Sequence, residues 1–226
     1  MGTVITELGF VGPAQSDDLF HFTGRNGNRP RDVPEEIQRM KASERLDSII
    51  TQRKLLAFPP FGVRQACVCF SECPPEQLAY LIAGGLFSPW GVVVSRSQVM
   101  GCGGGSVSYV PDKVYEKFER VGLEHWAVRT GEKSTWLHER EWRLPSKGVR
   151  LNALRAILIG DETWRPSLVD TNDWINAESG ELCLGPGETP SARPRQHYPE
   201  LWRQSEIWVW DATAKHMVKH PPGTLD

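Results

Sequence analysis

Glu139-Arg140-Glu141-Trp142-Arg143-Leu144 is the stretch whose residue types can do chemistry. Read as a strand, its side chains alternate between two faces. Trp142 and Leu144 then enter a core, and Glu139, Glu141 and Arg143 project together from the other side. Two carboxylates and a guanidinium on one face suit general acid–base work or stabilisation of a developing cation. Near the start lies Leu19-Phe20-His21-Phe22-Thr23, where Phe20 and Phe22 point one way and His21 and Thr23 the other. An early His-x-Thr strand and a late Glu-x-Glu strand predict one cleft built from distant parts of the chain. The competing reading of the charged stretch is a solvated edge strand with cross-strand ion pairs.

The elements that must position these groups follow from periodicity and punctuation. Residues 1–17 form a lead-in with few apolar anchors apart from Leu8 to Val11, and Gly24 to Pro34 is a loop by composition. Ile37, Met40, Leu46, Ile49 and Ile50 recur at helical spacing, predicting a helix over Ser43 to Gln52 with Ser43 as its cap. Ala66 to Ser71 reads as a strand, and Pro74 and Pro75 open a helix over Glu76 to Gly84. Gly91 to Ser95 is a β-branched buried strand. Further strands are expected at Val107 to Val110, His125 to Arg129, Ala153 to Gly160 and Ile207 to Trp210, with an amphipathic helix over Asp112 to Val121. Residues 161–200 carry few regular signals and read as a long surface excursion.

With 226 residues, 39% hydrophobic and 24% charged, the chain suits a globular α+β protein rather than a disordered one. A net charge of −2 argues against electrostatic coating of nucleic acid, while eight Lys/Arg against five Asp/Glu between Arg25 and Lys54 leave room for a local basic groove. Five cysteines without a signal peptide read as reduced thiols in the cytoplasm, and the longest apolar runs are too short for a membrane span. Cys67-x-Cys69-x3-Cys73 lacks the spacing of a zinc knuckle, so no metal is expected. The run Gly101-Cys102-Gly103-Gly104-Gly105-Ser106 lacks phosphate-loop spacing and reads as a mobile hairpin or cleft-edge loop.

The order of these segments resembles the DarT-type ADP-ribosyltransferases. The resemblance is carried by His21-Phe22-Thr23, by Arg45-Leu46-Asp47-Ser48-Ile49-Ile50 running on to Leu55-Leu56, by Val68-Cys69-Phe70-Ser71-Glu72-Cys73-Pro74-Pro75 with Leu78 and Tyr80, and by Glu141-Trp142-Arg143-Leu144. The middle of the chain is similar to phage-defence proteins labelled AbiGi, through Trp90-Gly91-Val92-Val93-Val94, Val107-Ser108-Tyr109-Val110 and the Glu-Arg-Glu-Trp-Arg run. Together the matches span residues 18–161. They imply an ADP-ribosyltransferase-like core with a split mixed/antiparallel sheet and flanking helices, and a C-terminal extension over 162–226 packed on it.

The resemblance further implies cleavage of the nicotinamide–ribose bond of NAD, a co-substrate, and transfer of ADP-ribose to a base of DNA or RNA by a toxin or anti-phage effector. An oxocarbenium-like transition state favours a carboxylate at the anomeric carbon. Glu141 takes that catalytic role, with Glu139 orienting or deprotonating the acceptor. His21, Phe22, Thr23, Ser95 and Arg96 are the implied NAD-binding residues, and Ser71, Glu72 and Arg143 the implied substrate-binding ones. Glu72 stands where the DarT pattern places an arginine. Transfer to protein, hydrolysis of NAD, and a non-catalytic antitoxin-like module with a protein partner are the alternatives.

Overall fold

The computed structural model describes residues 15–25, 33–131 and 136–226. Of the expected lead-in and first loop, residues 1–14 and 26–32 lie outside the described residues. The chain opens with β1 (Asp18–Phe22), α1 (Glu35–Arg39), α2 (Ala42–Gln52), β2 (Lys54–Leu56), β3 (Cys67–Glu72) and α3 (Pro75–Ala83). Then come β4 (Gly91–Ser95), α4 (Arg96–Gly101), β5 (Gly105–Ser106), β6 (Ser108–Val110), α5 (Asp112–Arg120) and β7 (Ala127–Arg129). β8 (Glu141–Pro145), β9 (Gly148–Arg150), β10 (Ala156–Ile159), β11 (Val169–Asn176), β12 (Leu182–Cys183) and β13 (Ala192–His197) follow. α6 (Glu200–Gln204), β14 (Glu206–Asp211) and β15 (His216–His220) complete it.

Among the described residues, eight strands form one mixed sheet in the order β15-β14-β10-β4-β1-β3-β8-β5. Its pairings are antiparallel except for β10 with β14, which run parallel. The architecture is α+β with a large mixed sheet and few helices. The sheet's centre is apolar on both faces, and that is why β4 and β10 read as unbroken runs rather than alternating ones. Val92, Val94, Ile157 and Ile159 face one way, packing on Leu46 and Ile50 of α2 and on Leu201 and Trp202 of α6. Val93, Ala156 and Leu158 face the other, against Leu78, Leu81 and Ile82 of α3. Each fully buried Leu or Ile here stabilises the fold by about 1.5–3 kcal/mol. These are termed the α2 face and the α3 face.

Strand ends set the remaining geometry. α2 starts at Ala42, its first turn fastened by the Lys41 amide donating to the Glu44 carboxylate at 2.7 Å, so Ser43 lies inside the helix rather than capping it. α3 begins with Pro75 in its first turn, as expected. From the end of α4 the glycine run turns through Gly103, at φ +86°, into the edge strand β5 on β8. A Cβ on Gly104 would lie 2.5 Å from the Val99 side chain and 3.0 Å from the Arg143 carbonyl, so β5 docks only on glycine. Residues 161–200 hold a three-stranded antiparallel ribbon, β12-β11-β13, where few regular signals were expected. The last segment contributes β14 and also β15 to the main sheet. No helix among the described residues is long and apolar enough to cross a membrane.

Candidate active site

β8 begins at Glu141, two residues later than its pattern suggests. Glu139 closes a 3-10 turn over Trp136–Glu139, and Arg140 adopts φ +43°, a left-handed conformation unusual for a residue with a Cβ. The two glutamates therefore do not share a strand, which corrects the expected alternation. From Glu141 onward the alternation holds: Trp142 and Leu144 join the α2-face core, and Glu141 and Arg143 project from the α3 face.

Register decides which side chains meet. Antiparallel pairing sets Ser71 opposite Glu141 and Cys69 opposite Arg143, and directly paired residues share a face. Arg143 donates from Nε and Nη2 to the two Glu141 oxygens at 2.9 and 3.0 Å, a bidentate pair. Its Nη1 donates to the carbonyls of His125 and Ala127 at 3.1 and 3.2 Å. Arg143 is 4% exposed, and although burial alone would disfavour its charge, Glu141 holds its pKa above the usual value. Behind the pair, burial and then the Glu141 charge push the Cys69 thiol well up, leaving it a neutral thiol rather than a nucleophile.

Glu139 is buried beside this pair. Arg25 Nη2 donates to it at 2.6 Å, and the Arg25 guanidinium also lies 5.7 Å from the centre of the Phe87 ring. Burial nevertheless outweighs that cation, and with the neighbouring Glu141 charge it pushes the Glu139 carboxyl up to about 7. Gln77 of α3 holds the turn by donating to the His138 carbonyl at 2.6 Å. Tyr109 of β6 accepts the Glu141 amide proton at 2.7 Å, and burial pushes its hydroxyl up to about 12. One neighbourhood thus holds a carboxylate bound bidentately by an arginine, a second carboxylate whose pKa is pushed up to about 7 and a neutral phenol. A carboxyl group whose pKa burial raises toward neutrality is suited to proton transfer at pH 7.

The early strand does not deliver its histidine to this place. His21 follows the parity of Leu19 and lies on the α2 face, where its ring meets Phe70 edge-on at 5.9 Å. Its Nδ1 donates to the Cys69 carbonyl at 2.9 Å, and burial lowers its pKa, so the ring is neutral and of fixed tautomer. His21 and Glu141 therefore stand on opposite faces of one sheet. Thr23 is buried, its hydroxyl lying 2.8 Å from the Ala42 carbonyl and 3.1 Å from that of Trp90. Phe22 is on the α3 face, stacked on Phe87 at 4.5 Å. Ser95 caps α4 by accepting from the Gln98 amide at 3.1 Å. Arg96 is buried between Asp17, at 3.2 Å, and Glu72, at 4.0 Å. Glu72, on the α2 face, accepts from the Ser16 amide, Arg140 Nη2 and Trp142 Nε1, each at 3.0 Å.

Ser71, Glu141, Arg143, Glu139 and Phe22 thus share the α3 side, while His21, Thr23 and Glu72 do not. Tyr109 and Arg25 belong to the site although sequence alone gave neither a role. Their signals were Tyr109's place in the Val107-Ser108-Tyr109-Val110 segment and Arg25's at the start of the basic stretch. Among the described residues no group of three or more His, Cys, Asp or Glu side chains could hold a metal ion. Comparison with protein-family models, with curated proteins and with solved structures finds no match.

Proposed function

We propose that the α3 face around Glu139 and Glu141 cleaves an N-glycosidic bond, that of NAD, and transfers ADP-ribose to a nucleic-acid base. The observation that carries this reading is the arginine-held carboxylate of Glu141 with a second, buried carboxyl group, Glu139, beside it. Glu141, ion-paired with Arg143, offers a charge to a developing oxocarbenium ion. Glu139, titrating near 7, accepts or returns a proton at the attacking group. Tyr109 fixes the Glu141 backbone by accepting its amide proton. In this reading the sheet and its helices are the ADP-ribosyltransferase-like core implied by the sequence, and His21 supports the fold rather than the ribose.

The test is incubation of the purified chain with NAD and separate DNA, RNA and protein acceptors, read by mass for the ADP-ribose increment. An increment on DNA or RNA that disappears in a folded Glu141→Gln variant supports the reading; no NAD consumption at all refutes it. A second reading, a silent antitoxin-like binding module, is favoured by one observation: both Glu141 oxygens are taken up by Arg143, as in a structural pair. It expects no NAD turnover and a stable complex with a protein partner.

A further inference from the structure

Glu72 is one of three residues, with Ser71 and Arg143, that the resemblance assigned to substrate, and unlike them it lies on the α2 face. Its surroundings give it other work. The backbone amide of Glu72 donates to the Arg140 carbonyl at 3.1 Å, closing the β3–β8 ladder at the residue where the chain turns left-handed. Its carboxylate then receives the Arg140 guanidinium at 3.0 Å and the indole N–H of Trp142, the next α2-face residue of β8, at 3.0 Å. One carboxylate therefore grips positions 140 and 142, on either side of Glu141. A left-handed residue with a Cβ costs about 1–2 kcal/mol and persists only where its surroundings hold it.

We infer that Glu72 is a positioning residue for the candidate site: by clamping Arg140 and Trp142 from the α2 face, it fixes the backbone reversal that brings Glu139 beside Glu141 on the α3 face. This rests on the catalytic reading of those two carboxylates, but its geometry is readable without any substrate. The charges acting on Glu139 are Arg25, Glu141 and Arg143, with burial the dominant influence. Tyr109 is the neutral neighbour on which both carboxylates also act. Glu72 is absent from that set, so loosening the clamp reaches Glu139 through geometry alone.

The experiment compares the full-length parent with Glu72→Gln and Arg140→Gly, the second keeping access to the left-handed conformation while removing the guanidinium. Glu139 is titrated by NMR of 13C-carboxyl-labelled glutamate, assigned by loss of its signal in Glu139→Gln. Both variants are expected to move the Glu139 midpoint by about half a pH unit or more, as altered burial does. Where NAD is consumed, kcat is expected to fall about tenfold with KM within about twofold, the signature of displaced catalytic groups rather than lost binding. A folded Glu72→Gln protein in which Glu139 titrates as in the parent overturns the inference, even if its melting temperature has dropped. Should Glu72→Gln not fold, an unmoved midpoint in Arg140→Gly overturns it equally. A moved midpoint in a chain that never consumes NAD upholds the clamp and refutes the enzymatic reading.

Discussion

Two arginine–carboxylate clusters lie back to back on the β3–β8 pair. On the α2 face, Glu72 accepts from three donors on two chain segments, Ser16 on one and Arg140 and Trp142 on the other, and Arg96 crowds against it. On the α3 face, Glu141 accepts from one arginine and has a second carboxylate for company. Each cluster pairs two arginines with two carboxylates, and the first ties segments together. The second keeps a carboxylate that titrates near neutrality, an arrangement that stability alone does not favour. Burial and pairing are common to both, so neither marks a site. What separates them is the acid–base capacity left over once the pairing is complete.

The sharpest way to break this contrast is Arg143→Ala, which strands Glu141 and leaves the His125 and Ala127 carbonyls without their donor. Removing one partner of a buried pair costs about 3–5 kcal/mol, and urea unfolding should show a loss of that size. A loss below about 1 kcal/mol would reduce the pair to a surface-like contact. Glu141→Gln comes next: NAD consumption is expected to fall by at least about 100-fold, or about 2.7 kcal/mol of barrier, with far-UV circular dichroism unchanged.

Glu139 should give a pH dependence of opposite sense to an ordinary ion-paired carboxylate. Its folded pKa, about 7, lies above the ordinary value of 4.5, so the folded state binds the extra proton. The associated stability is fully present below about pH 4.5 and is lost as pH rises through 7, on the order of 3 kcal/mol. Comparing parent with Glu139→Gln by thermal melts between pH 5 and 8 should show the parent alone weakening for this reason; parallel curves would remove the assignment. The mildest effect is expected for His21→Ala, about 1–3 kcal/mol of stability from a lost hydrogen bond and ring contact, with kcat within a few-fold of the parent. A hundredfold loss of kcat there would put the imidazole back at the reacting ribose and collapse the distinction between the faces.

The sequence made the sheet's buried strands easy to read and the site harder. Val92 to Val94 and the Trp142/Leu144 pair announce their burial through residue type and spacing. Proline at the start of α3 is equally plain. β11 was not visible because Val169–Asn176 belongs to a thin ribbon with polar residues on both sides, so no period of two survives. Glu139 was misassigned to the strand because nothing in Glu-Arg-Glu marks the left-handed Arg140. His21 and Glu141 were assigned to one cleft because each alternates correctly within its own strand. Whether two such strands put their polar sides on the same face depends on β3 between them, and that register is a tertiary fact.

The parallel joining of β14 to β10 has a consequence for how the molecule comes together. Ala156–Ile159 is wholly buried, yet its partner arrives about fifty residues later in the chain, with Glu206–Asp211. Pairing across so long a separation makes this half of the sheet slow to close. A nascent or prematurely ended chain lacking the late strand would present Ala-Ile-Leu-Ile as an open, greasy edge, ready to recruit a neighbour. Arrival of the late strand thus decides whether β10 is covered by its own chain or by a neighbour.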